Sequence, residues 1–126
     1  MDISFGTEEE APDPPLISGP TSIKINTEYA YEFSTIDYQG DDVYIMINWG
    51  DGEQTDWIGP LSSEEVIQRN HTWNERDTFE LRARAKDDRG KISLWSTLEV
   101  SMTKSKMHQI QFIELLQRRL PFFSFF

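Results

Sequence analysis

Histidine beside a carboxylate is the commonest acid–base pair in proteins, and this chain supplies its first half sparingly: two histidines, His71 and His108, against 22 Asp/Glu and no cysteine. A multi-histidine metal site is therefore excluded, as are every cysteine-based zinc site, thiol chemistry and a disulfide framework. A Ser-His-Asp arrangement would need a serine on a sharp strand-to-helix elbow, and no such signature occurs. His71 reads instead as a hydrogen-bonded core or sheet-end histidine. Asp51, set between Gly50 and Gly52, reads as a turn cap whose carboxylate takes nearby amides. The pair Glu64-Glu65 carries little weight as glycosidase machinery, because acidic neighbours recur all over the chain. Four tryptophans offer a different chemistry, since aromatic faces stack on sugars and anchor interfaces. Trp49 and Trp73 fall in the inward phase of their strands and read as core. Trp57 follows a turn and is the candidate ligand contact. Asn70-His71-Thr72 matches the N-glycosylation sequon, which matters only in an exported protein.

These residues are organised by one stretch. Val43, Ile45, Ile47 and Trp49 share a face of an alternating strand, and the Asp51-Gly52 pair then supplies the φ > 0 turn that reverses the chain. Around it, short β-branched and aromatic runs alternate with turn signals. Strands are expected over 23–25, 28–35, 43–49, 54–58, 65–73, 79–86 and 94–102, with Leu98, Val100 and Met102 inward on the last. Phe79, Leu81, Ala83 and Ala85 against Glu80, Arg82, Arg84 and Lys86 is the clearest one-face-buried pattern. About seven strands with no helix between them predict an all-β, immunoglobulin-like antiparallel sandwich over 21–103.

The flanks differ from the body. Residues 1–20, with Glu8-Glu9-Glu10 and Pro12, Pro14, Pro15 and Pro20, read as an acidic Pro-rich linker; the alternative is that Pro14-Pro15-Leu16-Ile17 lays an edge strand along the domain. Residues 104–126 read as a short amphipathic helix, with Met107, Ile110, Ile113, Leu116 and Leu120 at three- and four-residue steps ending before Pro121, followed by an aromatic tail. Charge is split the same way. Of the net −10, residues 1–100 hold 8 Lys/Arg against 21 Asp/Glu, a net of −13, whereas residues 101–126 hold a net +3. An acidic body repels phosphate backbones, so no nucleic acid is expected as a partner, while the basic tail suits a membrane surface or self-association. No run of about 18 apolar residues spans a bilayer and the start has no signal-peptide pattern, so a signal, if the protein is exported, lies outside this chain.

The run from Asp37 to Val43 into Asn48-Trp49-Gly50-Asp51-Gly52, then His71-Thr72-Trp73, Phe79, Lys86-Asp87 to Gly90, and Trp95-Ser96, resembles the polycystic-kidney-disease (PKD) domain family, in the variety found on bacterial and archaeal surface proteins. The resemblance spans about residues 15–103. It implies an immunoglobulin-type sandwich in an exported or cell-surface protein, acting as a spacer or protein-binding adhesion module without catalysis. Trp49, Gly50, Asp51, Gly52, His71, Trp73, Asp87 and Gly90 would then be structural motif residues. Calcium-binding members tend to carry Asp at the first and third positions of the loop that corresponds to 37–40, and here the third is Gln39. A weak calcium site at Asp37, Asp42 and Asp87, with Asp41 beside them, is one reading; turn carboxylates bonding their own backbone, with calcium dispensable, is the other. The rival function is a carbohydrate-binding module appended to a secreted hydrolase. The partner would then be a cell-surface glycan, signalled by an exposed, coplanar aromatic pair.

Overall fold

In the computed structural model, residues 10–102 are described; the helix and tail expected over 104–126 lie outside them. The strands are β1 (Leu16–Ser18), β2 (Ser22–Ile23), β3 (Glu28–Ser34), β4 (Val43–Asn48), β5 (Ile58–Leu61), β6 (Ile67–Thr72), β7 (Thr78–Asp87) and β8 (Ser96–Met102). They form two sheets, one of order β1-β3-β6 and one of order β2-β8-β7-β4-β5. The two-residue alternation decides which face of each is covered. On β4, Val43, Ile45 and Ile47 are buried and Tyr44, Met46 and Asn48 half-buried, while β7 buries Phe79, Leu81, Ala83 and Ala85. Facing them from the smaller sheet are Tyr31, Phe33 and Ile67. The core is therefore the layer between two sheets, as an immunoglobulin-like sandwich requires.

Trp73 is its centre. It is wholly buried, and its ring meets Tyr31 edge-on at 5.9 Å, Trp49 edge-on at 6.0 Å and Phe79 stacked at 5.9 Å. Its one polar atom is satisfied, because Nε1–H donates to the Trp49 carbonyl at 3.1 Å. Tyr31 solves the same problem by donating its hydroxyl to the Pro20 carbonyl at 2.6 Å, and burial pushes its pKa up to about 12, Tyr29 adding to the shift.

Three expectations are corrected. The segment 1–20 is not all linker: β1 pairs antiparallel with β3, from Leu16↔Ser34 to Ser18↔Glu32, Pro12 and Pro15 are buried, and the Asp13 amide donates to the Ile36 carbonyl at 2.9 Å. An edge position uses only one side of the strand, so the preceding prolines cost no ladder bond. Secondly, the sheets are not purely antiparallel. Beyond Gly19-Pro20 the chain joins the other sheet, where β2 runs parallel to β8 with Ser22↔Ser101 and Ile23↔Met102. Thirdly, the strand expected over 54–58 is displaced to Ile58–Leu61, and Gln54 keeps only an isolated bridge to Asn48. Thr55 is the cause: its hydroxyl accepts the Ile47 amide at 3.0 Å and its own amide donates to the Ile47 carbonyl at 2.8 Å, closing the hairpin before a regular ladder begins at a register shift between Val43 and Ile45.

Two strand edges carry features that resist edge-to-edge pairing. β5 includes Pro60, which has no amide to offer. On β6, Arg69 stands opposite Tyr31 in the inward phase yet is exposed, which puts a charge where another sheet would have to dock.

Candidate functional site

The hairpin after β4 forms the first polar cluster. Gly50 and Gly52 have φ of +87° and +102°, as a tight reversal demands. The Asn48 side-chain oxygen accepts the Gly50 amide at 2.9 Å and Asp51 Oδ1 accepts the Glu53 amide at 3.1 Å, two side-chain caps for turn amides. Asp51 Oδ2 reaches 2.8 Å to His71 Nε2 on β6. A carboxylate only accepts, so this nitrogen carries the proton and donates it. The His71 ring lies flat on Trp49, 4.4 Å between centroids and 2° between planes, and edge-on to Trp73 at 4.6 Å. Asp51, Glu53 and His71 offer ligand atoms within 4.8 Å of one another, but the Asp51–His71 contact is already a direct bond. The arrangement ties the hairpin of one sheet to the edge strand of the other. His71 is only 8% exposed and its Nε2 is taken up by Asp51, which itself lies exposed on the turn.

A second cluster sits at the other end of the sandwich. Val43↔Asp87 is a cross-strand pair, so the loop entering β4 and the turn leaving β7 meet there. Asp37 Oδ1 accepts the Gln39 amide at 2.8 Å, and Asp87 Oδ1 accepts the amides of Arg89 at 2.9 Å and Lys91 at 2.8 Å. The backbone-capping expectation thus accounts for one oxygen of each. It leaves the other: Oδ2 of Asp37 and Oδ2 of Asp87 are buried without a hydrogen-bond partner, in residues 4% and 1% exposed. Asp41 adds a third carboxylate, the three within 4.8 Å of one another. Asp41 Oδ2 lies 3.3 Å from Arg89 Nη2, an ion pair without hydrogen-bond geometry. Desolvation pushes the Asp41 pKa up; Asp88, Asp37 and Asp87 add to the rise and Arg89 opposes it. Asp42, expected as a ligand, is exposed and outside the cluster, and Gln39 is exposed as well. Parity explains the exchange. Asp41 continues the inward phase of Val43 and Ile45, as Asp87 continues that of Ala83 and Ala85, whereas Asp42 is in the outward phase. Gly90, at φ +91°, closes the turn by donating its amide to the Asp87 carbonyl at 3.1 Å.

Trp57 belongs to a third feature that the sequence only half revealed. It is half-buried on the outer face of the larger sheet, with Lys86 Nζ 4.7 Å from its ring centre and the Arg84 guanidinium 5.8 Å away. Trp95 lies beyond, under Arg84 at 4.5 Å and Arg82 at 4.7 Å, and Lys86 also lies 5.5 Å from the Tyr44 ring. The outward alternation of Arg82, Arg84 and Lys86 is plain in the sequence. Their interleaving with Trp57 and Trp95 is set by strand order and was not.

No protein-family model and no curated protein matches the chain. Among solved structures, it is similar to the PKD domain of an M14-like peptidase from a Thermoplasmatales archaeon, at 44% identity and a TM-score of 0.74 over 76% of this chain and 99% of that one. Two structures of a CARDB domain from Pyrococcus furiosus, each 18% identical, share the fold. A solution structure has a TM-score of 0.54 over 76% of this chain and 99% of that one. A crystal structure in complex with di-metal ions has 0.50 over 75% and 90%. With 99% of a PKD domain covered at 44% identity and a TM-score of 0.74, the chain, with its two-sheet sandwich and its Trp-Gly-Asp-Gly hairpin bonded to His71, belongs to the PKD domain family.

Proposed function

We propose that this PKD domain is a non-catalytic spacer and adhesion module of an exported or cell-surface protein, stiffened by a weakly held calcium ion. The observation that carries the reading is the pair of orphaned, buried oxygens, Oδ2 of Asp37 and Oδ2 of Asp87, converging with the Asp41 carboxylate. A buried carboxylate oxygen with no donor is costly, and three carboxylates within 4.8 Å repel one another. The donor set fits a hard cation: all oxygen, three negative charges, on loops able to take 6 to 8 ligands in all with backbone and water. Asp37, Asp41 and Asp87 would hold such an ion, and its contribution would be charge neutralisation and a clamp between the β4 loop and the β7 turn. With Gln39 turned outward the site is short of carboxylates, which points to affinities of about 0.1 to 1 mM. Only extracellular calcium fills such a site, so its chemistry and an exported location support each other. The 44%-identical relative is a domain of a peptidase, which is consistent with a module accompanying an enzyme rather than performing the reaction.

Calcium at 10 mM is expected to raise the Tm of the chain at pH 7 by about 5 °C or more over the value in EDTA, since ligand at tenfold or more above Kd adds about 1.4 kcal/mol or more. Asp87→Asn should abolish the increment. The pH dependence has a definite sign. Because the Asp41 pKa is raised in the fold, the ion-free protein gains from protonation of this group as pH falls toward the ordinary carboxylate range. The calcium-loaded protein loses its increment over the same interval, because ligands must be ionised. Equal Tm in calcium and EDTA at pH 7 would overturn the ion.

A further inference from the structure

We infer that the outer face of the larger sheet binds an acidic polysaccharide, one carrying sugar carboxylates, through the strip Arg82, Arg84 and Lys86; the inference rests on the adhesion half of the proposed function and names its partner. Three observations converge on it. The first is charge that the fold leaves unanswered. In a body of net −13, these side chains stand at alternate positions of β7, roughly 7 Å apart, with no ion pair to any carboxylate among the described residues. Their cross-strand neighbours are all neutral: Asn48, Met46 and Tyr44 on β4, and Thr97 opposite Arg82 on β8. Like charges set in a row repel, and an acidic protein has counter-charges to spare. Carboxylates flank only the two ends of the strip, Glu80 before Arg82 and Asp88 after Lys86, and none stands across from it, which leaves its middle open to an anion supplied from outside.

The second observation is how the cations are held. Arg82 and Arg84 lie against Trp95 at 4.7 and 4.5 Å, and Lys86 lies against Trp57 at 4.7 Å. Contact with a ring immobilises a guanidinium without using its N–H donors, and a pre-positioned planar fork loses little entropy when it takes a carboxylate. The same contacts bear on the rival neutral-glycan mode. Trp57 and Trp95 are half-buried with cations over their faces, so they are not a bare coplanar platform for an uncharged sugar ring.

The third is the shape. The strip joins two open grooves, of 530 Å³ with Arg82 and Glu80 in its wall and of 480 Å³ with Lys86, Tyr44, Trp57, Arg89, Asp87 and Asp88 in its wall, so an elongated ligand would be held along the strip between them. β7 lies between β8 and β4, paired with β4 over 82–87 and with β8 over 78–83, so it offers no free strand edge along the strip. An acidic peptide laid here would forgo the main-chain ladder that gives strand-adding peptides their affinity, whereas a polysaccharide needs none.

The test is affinity electrophoresis of the full 126-residue chain through gels containing polygalacturonate, neutral xylan or poly-glutamate, all in EDTA so that calcium bridging is removed. Retardation by polygalacturonate, none by xylan and little by poly-glutamate is expected. The Arg82→Gln/Arg84→Gln variant should weaken binding about tenfold or more at unchanged Tm, as loss of charged hydrogen bonds implies. Should that variant fail to fold, Lys86→Gln at the end of the strip carries the same comparison. No retardation by polygalacturonate, equal retardation of the variant, or stronger retardation by poly-glutamate overturns the inference. None of these outcomes alters the calcium response, so failure here is distinguishable from failure of the module reading.

Discussion

Replacing Trp73 by alanine is expected to destabilise the domain by about 3 to 5 kcal/mol, enough to leave a domain of ordinary stability largely unfolded at 37 °C. The side chain is wholly buried between the sheets, and three aromatic rings, Tyr31, Trp49 and Phe79, lie about 6 Å from it, so no single neighbour can close the void. Truncation also removes the donor to the Trp49 carbonyl and leaves that buried acceptor without its partner. Ile47→Ala, a smaller cut in the same layer, should cost about 2 to 5 kcal/mol. Urea unfolding at constant m-value checks both. A loss below about 1 kcal/mol for either would mean that the inward face has been misassigned.

Glycine replacement in the hairpin should separate two residues that look equivalent in the sequence. Both Gly50 and Gly52 have positive φ, so alanine at either pays the left-handed penalty of about 1 to 2 kcal/mol. Only Gly50 is also crowded. A Cβ there would sit 2.6 Å from the backbone oxygen of Glu80, whereas at Gly52 nothing lies within 4 Å. Backbone cannot swing aside as a side chain can, so Gly50→Ala is expected to cost roughly 3 kcal/mol or more against about 1 for Gly52→Ala. Equal losses in thermal unfolding would show that β7 does not press on the turn.

What the sequence disclosed follows from which interactions are local. Alternation at Val43–Trp49 and Phe79–Ala85 is a property of neighbouring residues, and it gave the two central strands and their buried faces within a residue or two. Where alternation was diluted, legibility fell. The strand over 54–58 was misplaced because Thr55 closes the hairpin with its hydroxyl, which no period records. The 16–18 edge strand was legible only as the alternative to a linker, because prolines that an edge tolerates mark linkers as well. Asp41 stood beside the candidate ligands in the sequence, and its parity with Val43 is what sets it ahead of Asp42 in the fold. Two relations joined distant segments and had no sequence signal beyond the residues themselves, Asp51 with His71 and Trp57 with Lys86, whereas Asp37 with Asp87 was one of the two readings of the acidic loops.

The non-catalytic role proposed for the domain implies that the polar residues of the hairpin hold the sheets together and perform no reaction. A double-mutant cycle on Asp51→Asn and His71→Gln tests it most directly, followed by urea unfolding and by assays on peptide, ester and glycoside substrates. The expected result is a coupling energy of about 1 kcal/mol or more, as for a charge-assisted bond between packed groups, with any background turnover identical in all four proteins. Coupling near zero together with a turnover that disappears in Asp51→Asn would contradict it.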